Sequence, residues 1–238
     1  MNILISNDDG INAPGIIQLA EIAKQLGKVY VVAPVNQCSG MSQRVSLIND
    51  TLIEEQTAFP VEGVQAWSVE GTPVDCIKTG IDILELKPDI VFSGINEGFN
   101  LGLDVAYSGT CGVCFEATYS GIPAIAFSGE ETNYKVLSKH CLSIAQECMK
   151  ADLEKNAFWN VNIPKITEGS FHGIMHDCQL AKKSFYCGSF ITKRITKTKT
   201  MAKINPEIAS FDDVSEGMDI HAIKNGCISI GKVYTALI

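Results

Sequence analysis

Short, uninterrupted apolar runs recur along the first two thirds of the chain: "NILIS", "KVYVVAP", "DIVFSG", "PAIAFSG" and "FWNVNIP". Runs of that length and continuity read as strands buried on both faces, and such strands need helices above and below a parallel sheet. The intervening segments supply them. "APGIIQLAEIAKQLG" has helical spacing with Gly27 as a stop, and "TCGVCFEATYSG" and "YKVLSKHCLSIAQECMK" read likewise. "VQAWSVEG" adds a strand, and the spacing predicts a helix over 72–86, with Thr72 as its cap and Pro73 in its first turn. The expected fold is α/β, a doubly wound and mostly parallel sheet over residues 1–165. Beyond that the rhythm breaks. Candidate strands in "KSFYCGSFITKRITKTKT" and "CISIGKVYTALI" flank "SFDDVSEGMDIHAIKNG", whose middle suits a short helix, so residues 166–238 are expected to form a smaller β-rich extension.

Composition removes several classes of function. A net charge of −8 disfavours duplex nucleic acid, whose affinity comes mainly from Lys and Arg displacing counterions. No run reaches the ~18 to 20 apolar residues of a membrane span, and no basic, leader-like start is evident, so a cytoplasmic protein with no membrane partner is expected. The cysteines number nine, an odd and scattered set that reads as reduced thiols.

In an open parallel sheet, ligands bind beyond the carboxyl ends of the strands. Three strands here end in small polar or acidic residues: "NILIS" in Asn7-Asp8-Asp9, "VYVVAP" in "VNQCSG" with Ser39, and "DIVF" in "SGINEGFN" with Asn96 and Asn100. All fall on one edge. Adjacent carboxylates repel unless a cation or shared proton relieves them. The companions on this edge are oxygen donors, so Asp8, Asp9, Ser39 and Asn96 are candidate ligands of one hard divalent cation, Mg²⁺, Mn²⁺ or Ca²⁺. Ser108, Gly109 and Thr110 begin the next helix, where unpaired N–H groups and the helix dipole favour an anion. A cation facing an anion cradle points to a phosphoryl group between them.

Those same segments resemble a known family. "ILISNDDGINAPGI", "VVAPVNQCSGMS", "GTPVDCIKTG", "SGINEGFNLGLDVAYSGT" and "SGIPAIAFS" are similar, in order, to the motifs of the SurE family, survival-protein-E 5′-nucleotidases, and "NVNIP" extends the match. The resemblance implies a Rossmann-like, three-layer catalytic core and hydrolysis of nucleoside monophosphates or other small phosphomonoesters. It also implies one divalent metal, Mg²⁺ or Mn²⁺, on Asp8, Asp9, Ser39 and Asn96, and homodimers or homotetramers built through C-terminal elements. Within this reading Asp8 and Asp9 are also catalytic, and Asn100, Ser108, Gly109 and Thr110 bind substrate. The chain departs from the family where "EAT" replaces Glu-Gly, where "RVSL" replaces a Ser/Thr-rich stretch, and in a Lys/Thr-rich segment after residue 182.

Other signals point elsewhere or nowhere. Cys111 and Cys114 have no second pair with which to bind zinc and read as buried helix cysteines. His172 and His176 are spaced four apart but read as surface residues. The lysines of "ITKRITKTKT" suit an exposed strand protected from edge pairing, or an arm that steers anions. A receiver domain would need an Asp at the end of "DIVFSGIN", and a haloacid-dehalogenase-type phosphatase would need Asp-x-Asp; both are missing. A non-catalytic, metal-dependent nucleotide sensor on the same site is the remaining rival.

Overall fold

The structure is a computed structural model that describes residues 1–129, 134–166, 169–210 and 214–235. Along the chain the elements are β1 (Asn2–Ser6), α1 (Pro14–Ala23), β2 (Lys28–Pro34), β3 (Ile53–Glu55), β4 (Gln65–Val69), α2 (Pro73–Lys78) and β5 (Ile90–Glu97). Then follow α3 (Gly109–Tyr119), β6 (Ala124–Gly129), α4 (Tyr134–Cys148), β7 (Ala157–Ile163) and β8 (Gly173–Met175). The chain ends through β9 (Tyr186–Arg194), β10 (Thr200–Ile208), α5 (Asp219–Lys224) and β11 (Cys227–Tyr234).

Among the described residues a nine-stranded sheet runs in the order β3-β4-β2-β1-β5-β6-β7-β11-β8. Its centre, β4-β2-β1-β5-β6-β7, is parallel throughout, and the winding reverses direction at β1 and β5. That is the Rossmann-like arrangement, in which the crevice opens at the carboxyl ends of the two strands where the order reverses. Alternation along β1 builds both cores at once. Ile3 and Ile5 pack with α1 and α4, while Leu4 packs with α2 and α3.

Local chemistry fixes the turns that matter. Thr72 Oγ1 accepts the Asp75 N–H at 3.3 Å and Asp75 Oδ2 accepts the Thr72 N–H at 2.8 Å, a capping box that starts α2 with Pro73 in its first turn. The helix expected over 72–86 is shorter than its spacing implies. It stops at Lys78 and widens to a π turn over Thr79–Ile83, where Gly80 lies so close to β1 that a Cβ would sit 2.9 Å from Leu4 Cδ2. β5 runs past the expected end of its apolar run. Its register against β6 shifts between Ser93 and Asn96, which puts Asn96 in the strand instead of the expected loop.

After residue 165 the chain divides its elements between two sheets. β8 and β11 extend the main sheet, β11 antiparallel to β7. β9 and β10 form a separate antiparallel hairpin in which every residue but Tyr186 is exposed. Residues 201–209 fall outside the strands expected from the sequence, yet β10 carries Pro206 without disruption: in a two-stranded ribbon both strands are edges, and a missing N–H is tolerated. A small third core of Phe99, Leu101, Ala181, Phe185, Ile220 and Ile223 pins the segment after β5 to the C-terminal region. Among the described residues no helix is long and apolar enough to cross a membrane.

Candidate active site

The turn after β1 is shaped by Asn7. Its Nδ2 donates to the Gly10 carbonyl at 3.0 Å and its Oδ1 accepts the Gly10 N–H at 3.1 Å, with Gly10 at φ +104°, a conformation side-chain-bearing residues rarely adopt. Asp8 and Asp9 are carried at the tip of that closed turn. The Cys38 N–H donates to the Asp8 carbonyl at 2.7 Å, which brings the loop bearing Ser39 alongside. That loop is in turn bound to the segment before α3: the Ser42 N–H donates to Tyr107 O at 3.0 Å and Ser42 Oγ to Ala106 O at 2.7 Å.

Together these segments enclose a cleft of about 470 Å³. Asp8, Ser39, Asn96, Asn100 and Ser108 all line it, so five of the residues singled out from the sequence meet in one place. Asp9 stands beside them, partly buried, its Oδ2 accepting the Glu97 N–H at 3.2 Å and its Oδ1 accepting from Gln37 Nε2 at 3.5 Å. Gly109 and Thr110 lie behind Asp8. Thr110 is fully buried and its Oγ1 donates to Asp8 Oδ1 at 2.5 Å. Gly109 leaves room for the carboxylate, since a Cβ there would sit 2.7 Å from Asp8 Cβ and 2.8 Å from Oδ2. Ser108 caps α3, its Oγ accepting the Cys111 N–H at 3.0 Å.

The electrostatics of the pair are strained. Asp8 is only 4% exposed, and burial pushes its carboxyl up to about 6; the Thr110 hydroxyl opposes this and the neighbouring Asp9 charge adds to it. Burial also raises Asp9, outweighing its bonds from Glu97 and Gln37. Asn96 Nδ2 donates to the Gly98 carbonyl at 3.0 Å, which leaves its side-chain oxygen as the end available to a ligand. Among the described residues no three His, Cys, Asp or Glu side chains cluster to hold a metal. The cleft instead offers two carboxylates under mutual repulsion beside neutral oxygens. That donor set fits a hard, partly hydrated dication and does not fit zinc.

Several residues of the cleft escaped the sequence reading. Phe99, Tyr107 and Tyr186 give it aromatic walls, with Tyr107 65% exposed. Asp104 fixes Tyr186 there, its Oδ2 accepting the N–H groups of Phe185 at 2.8 Å and Tyr186 at 2.9 Å. Phe99 and Tyr107 stand inside the quoted motif "SGINEGFNLGLDVAYSGT" and were open to notice; Tyr186 arrives from a distant part of the chain with no local mark. The discounted groups stay apart from the site. Cys111 and Cys114 are fully buried, and burial pushes the Cys111 thiol up to about 12. His172 and His176 are exposed, and His176 Nδ1 lies 3.1 Å from Glu147 Oε1.

Comparison with known proteins bears on the family and the fold. The family model for "Survival protein SurE" matches residues 3–186. A curated protein of Geobacter sulfurreducens named 5′-nucleotidase SurE is 38% identical over 242 residues, covering 100% of this chain and 89% of that protein. One of the same name from Clostridium botulinum, strain Loch Maree, is 35% identical, covering 98% of this chain and 93% of its own length. Among solved structures, the SurE protein of Aquifex aeolicus superposes with a TM-score of 0.82 at 32% identity, covering 100% of this chain and 95% of that one.

Proposed function

The chain belongs to the SurE family, and from that membership together with the geometry of the cleft we propose that it is a nucleotidase, hydrolysing nucleoside monophosphates to nucleoside and phosphate with the help of one divalent cation, Mg²⁺ or Mn²⁺. The observation that carries the reading is the buried, charge-strained Asp8 beside Asp9, at the floor of a cleft that also gathers Ser39, Asn96, Asn100 and Ser108. Asp8, Asp9, Ser39 and Asn96 would hold the cation. When bound, it supplies neutralisation of phosphoryl charge and a polarised phosphoryl oxygen.

The protein's own groups do the rest. Ser108 lines the cleft at the N-terminal end of α3, where the helix dipole favours a phosphoryl dianion, and Asn100 contributes a side-chain amide. Gly109 and Thr110 act from behind, one by leaving space for Asp8 and the other by orienting its carboxylate. Water attacks phosphorus as the bond to the ribose oxygen breaks; whichever of Asp8 and Asp9 is less committed to the cation takes a proton from the water, and that proton passes to the ribose oxygen to give the nucleoside. The aromatic walls of Phe99, Tyr107 and Tyr186 provide apolar surface of the kind on which a nucleobase stacks.

A second copy of the chain is the proposed partner of the hairpin. Phe190 and Ile204 face each other across it, as do Tyr186 and Ile208, and all four lie on the same face. Phe190, Ile204 and Ile208 are each more than half exposed, at 68%, 58% and 62%. An apolar ribbon of that size standing in water supports a homodimer or homotetramer.

Phosphate release from AMP, GMP and simple phosphomonoesters, measured with chelator, Mg²⁺ and Mn²⁺ in turn, tests the reading. Metal-dependent release that favours nucleotides supports it. Binding of AMP without any release would instead make the cleft a nucleotide sensor.

A further inference from the structure

Asn100, just beyond β5, is held at both polar atoms of its main chain by side chains from β7. Its N–H donates to Asn162 Oδ1 at 2.8 Å, and its carbonyl accepts from Asn162 Nδ2 at 3.1 Å and from Asn160 Nδ2 at 2.8 Å. Its side-chain Nδ2 donates to Ser128 Oγ at 2.8 Å. One side-chain amide, that of Asn162, thus pairs with both main-chain groups of a single residue, as a neighbouring strand would do.

The residues that supply this clamp sit where stability alone would not place them. Asn160, Asn162 and Ser128 are 3%, 0% and 0% exposed, on the inner strands β7 and β6. Strands covered on both faces are ordinarily filled with Val, Ile and Leu, and each buried amide costs free energy unless its bonds are made. Asn160 Oδ1 has no hydrogen-bond partner among the described residues. Asn160 and Asn162, two apart on β7, project from one face of the strand, and Ser128 is the register partner of both Asn162 and Asn96. The network therefore joins the two ends of the segment from Asn96 to Asn100, which runs along the cleft.

We infer that Asn162, supported by Asn160 and Ser128, is a positioning residue of the hydrolysis, fixing the Asn100 side chain at the place of the phosphoryl group. The inference rests on the nucleotidase reading and on Asn100 as a substrate contact within it. Asn162 itself does not line the cleft. Its effect on the reaction runs through Asn100.

A double-mutant cycle on kcat/KM for AMP tests this, because residues acting through one another fail to add. Asn162→Ala is expected to lower kcat/KM by at least about tenfold in the wild-type background, but by less than about threefold when Asn100 is already alanine. The melting temperature should fall similarly in both backgrounds, since the main-chain bonds of residue 100 are lost either way. An equal loss of kcat/KM in the two backgrounds, or no loss in either, overturns the inference. If Asn162→Ala does not fold, Ser128→Ala in the same cycle replaces it, as that hydroxyl meets only the Asn100 side chain in this network. Wild-type turnover by Asn100→Ala removes both the substrate contact and its positioning. Wild-type protein that releases no phosphate from AMP sinks the nucleotidase reading itself, an outcome distinct from an active enzyme whose cycle shows no coupling.

Discussion

At the scale of single residues, the site is a balance between burial and charge centred on Asp8. Its carboxyl, raised from 3.8 to about 6 mainly by burial, keeps its proton in the folded state after the unfolded chain has lost it. The stability this gives is fully present below about pH 4 and is lost as pH rises through about 6. In chelated protein, ionised Asp8 therefore costs on the order of 3 kcal/mol at pH 8, and Asp8→Asn removes that cost while keeping the bond from Thr110. The variant should melt roughly 5 to 10 °C above wild type at pH 8 and converge with it near pH 4. A variant that melts at or below wild type at pH 8 would show that the pair is not under strain. Gly109→Ala probes the same balance from the other side. A methyl group 2.8 Å from Asp8 Oδ2 must displace the carboxylate, whereas alanine suits an α-helix better than glycine. Phosphate release should fall by about tenfold or more while thermal melting moves by only a few degrees; unchanged activity would mean that the position of Asp8 is unimportant.

At the scale of elements, what was legible in the sequence was what short-range chemistry decides. The β2 run, the Thr72 cap and the start of α3 at Ser108-Gly109 depend on residues within a few positions of each other, and all stand where the pattern put them. The strand-end rule likewise brought Asp8, Ser39, Asn96 and Asn100 to one cleft without knowledge of any contact, and the helix N-terminus argument added Ser108. The hairpin was legible only in half, because Pro206 obscures a strand that exists by pairing with β9. Tyr186 was illegible for the same reason: it reaches the cleft through Asp104, 82 positions earlier. The apolar face of this ribbon makes its own prediction. Replacing Phe190 and Ile204 together by serine should convert a dimer or tetramer into monomer in sedimentation equilibrium, with the monomer still folded, since neither side chain belongs to a core of the main sheet. A wild-type protein that is already monomeric at micromolar concentration would refute the hairpin as an assembly surface.

For the molecule as a whole, folding and the proposed cation binding would form one linked equilibrium. The chain alternates strand and helix clearly enough to imply a doubly wound sheet, but strand order is a global property, and nothing local in "CISIGKVY" shows that it returns to run antiparallel beside β7. The third core, which joins Phe99 and Phe185 across the chain, sets one wall of the cleft, so the site exists only in the complete fold. The ligands proposed for the cation come from the ends of β1, β2 and β5, which no unfolded chain holds together. A dication that binds the folded state alone stabilises it by ~2.7 kcal/mol when present at 100 times its dissociation constant. At ~2 to 4 °C per kcal/mol for a chain of this size, Mg²⁺ or Mn²⁺ should raise the melting temperature by roughly 5 to 10 °C. The same addition to Asp8→Asn should give little or no rise, even though that variant is the more stable one without metal. Asn96→Ala, which removes one neutral oxygen, should regain the full rise only at higher metal concentration. Calorimetry on the three proteins decides the matter: equal metal-induced shifts in all of them would place the cation elsewhere and leave the two aspartates as a turn whose charge strain serves no ion.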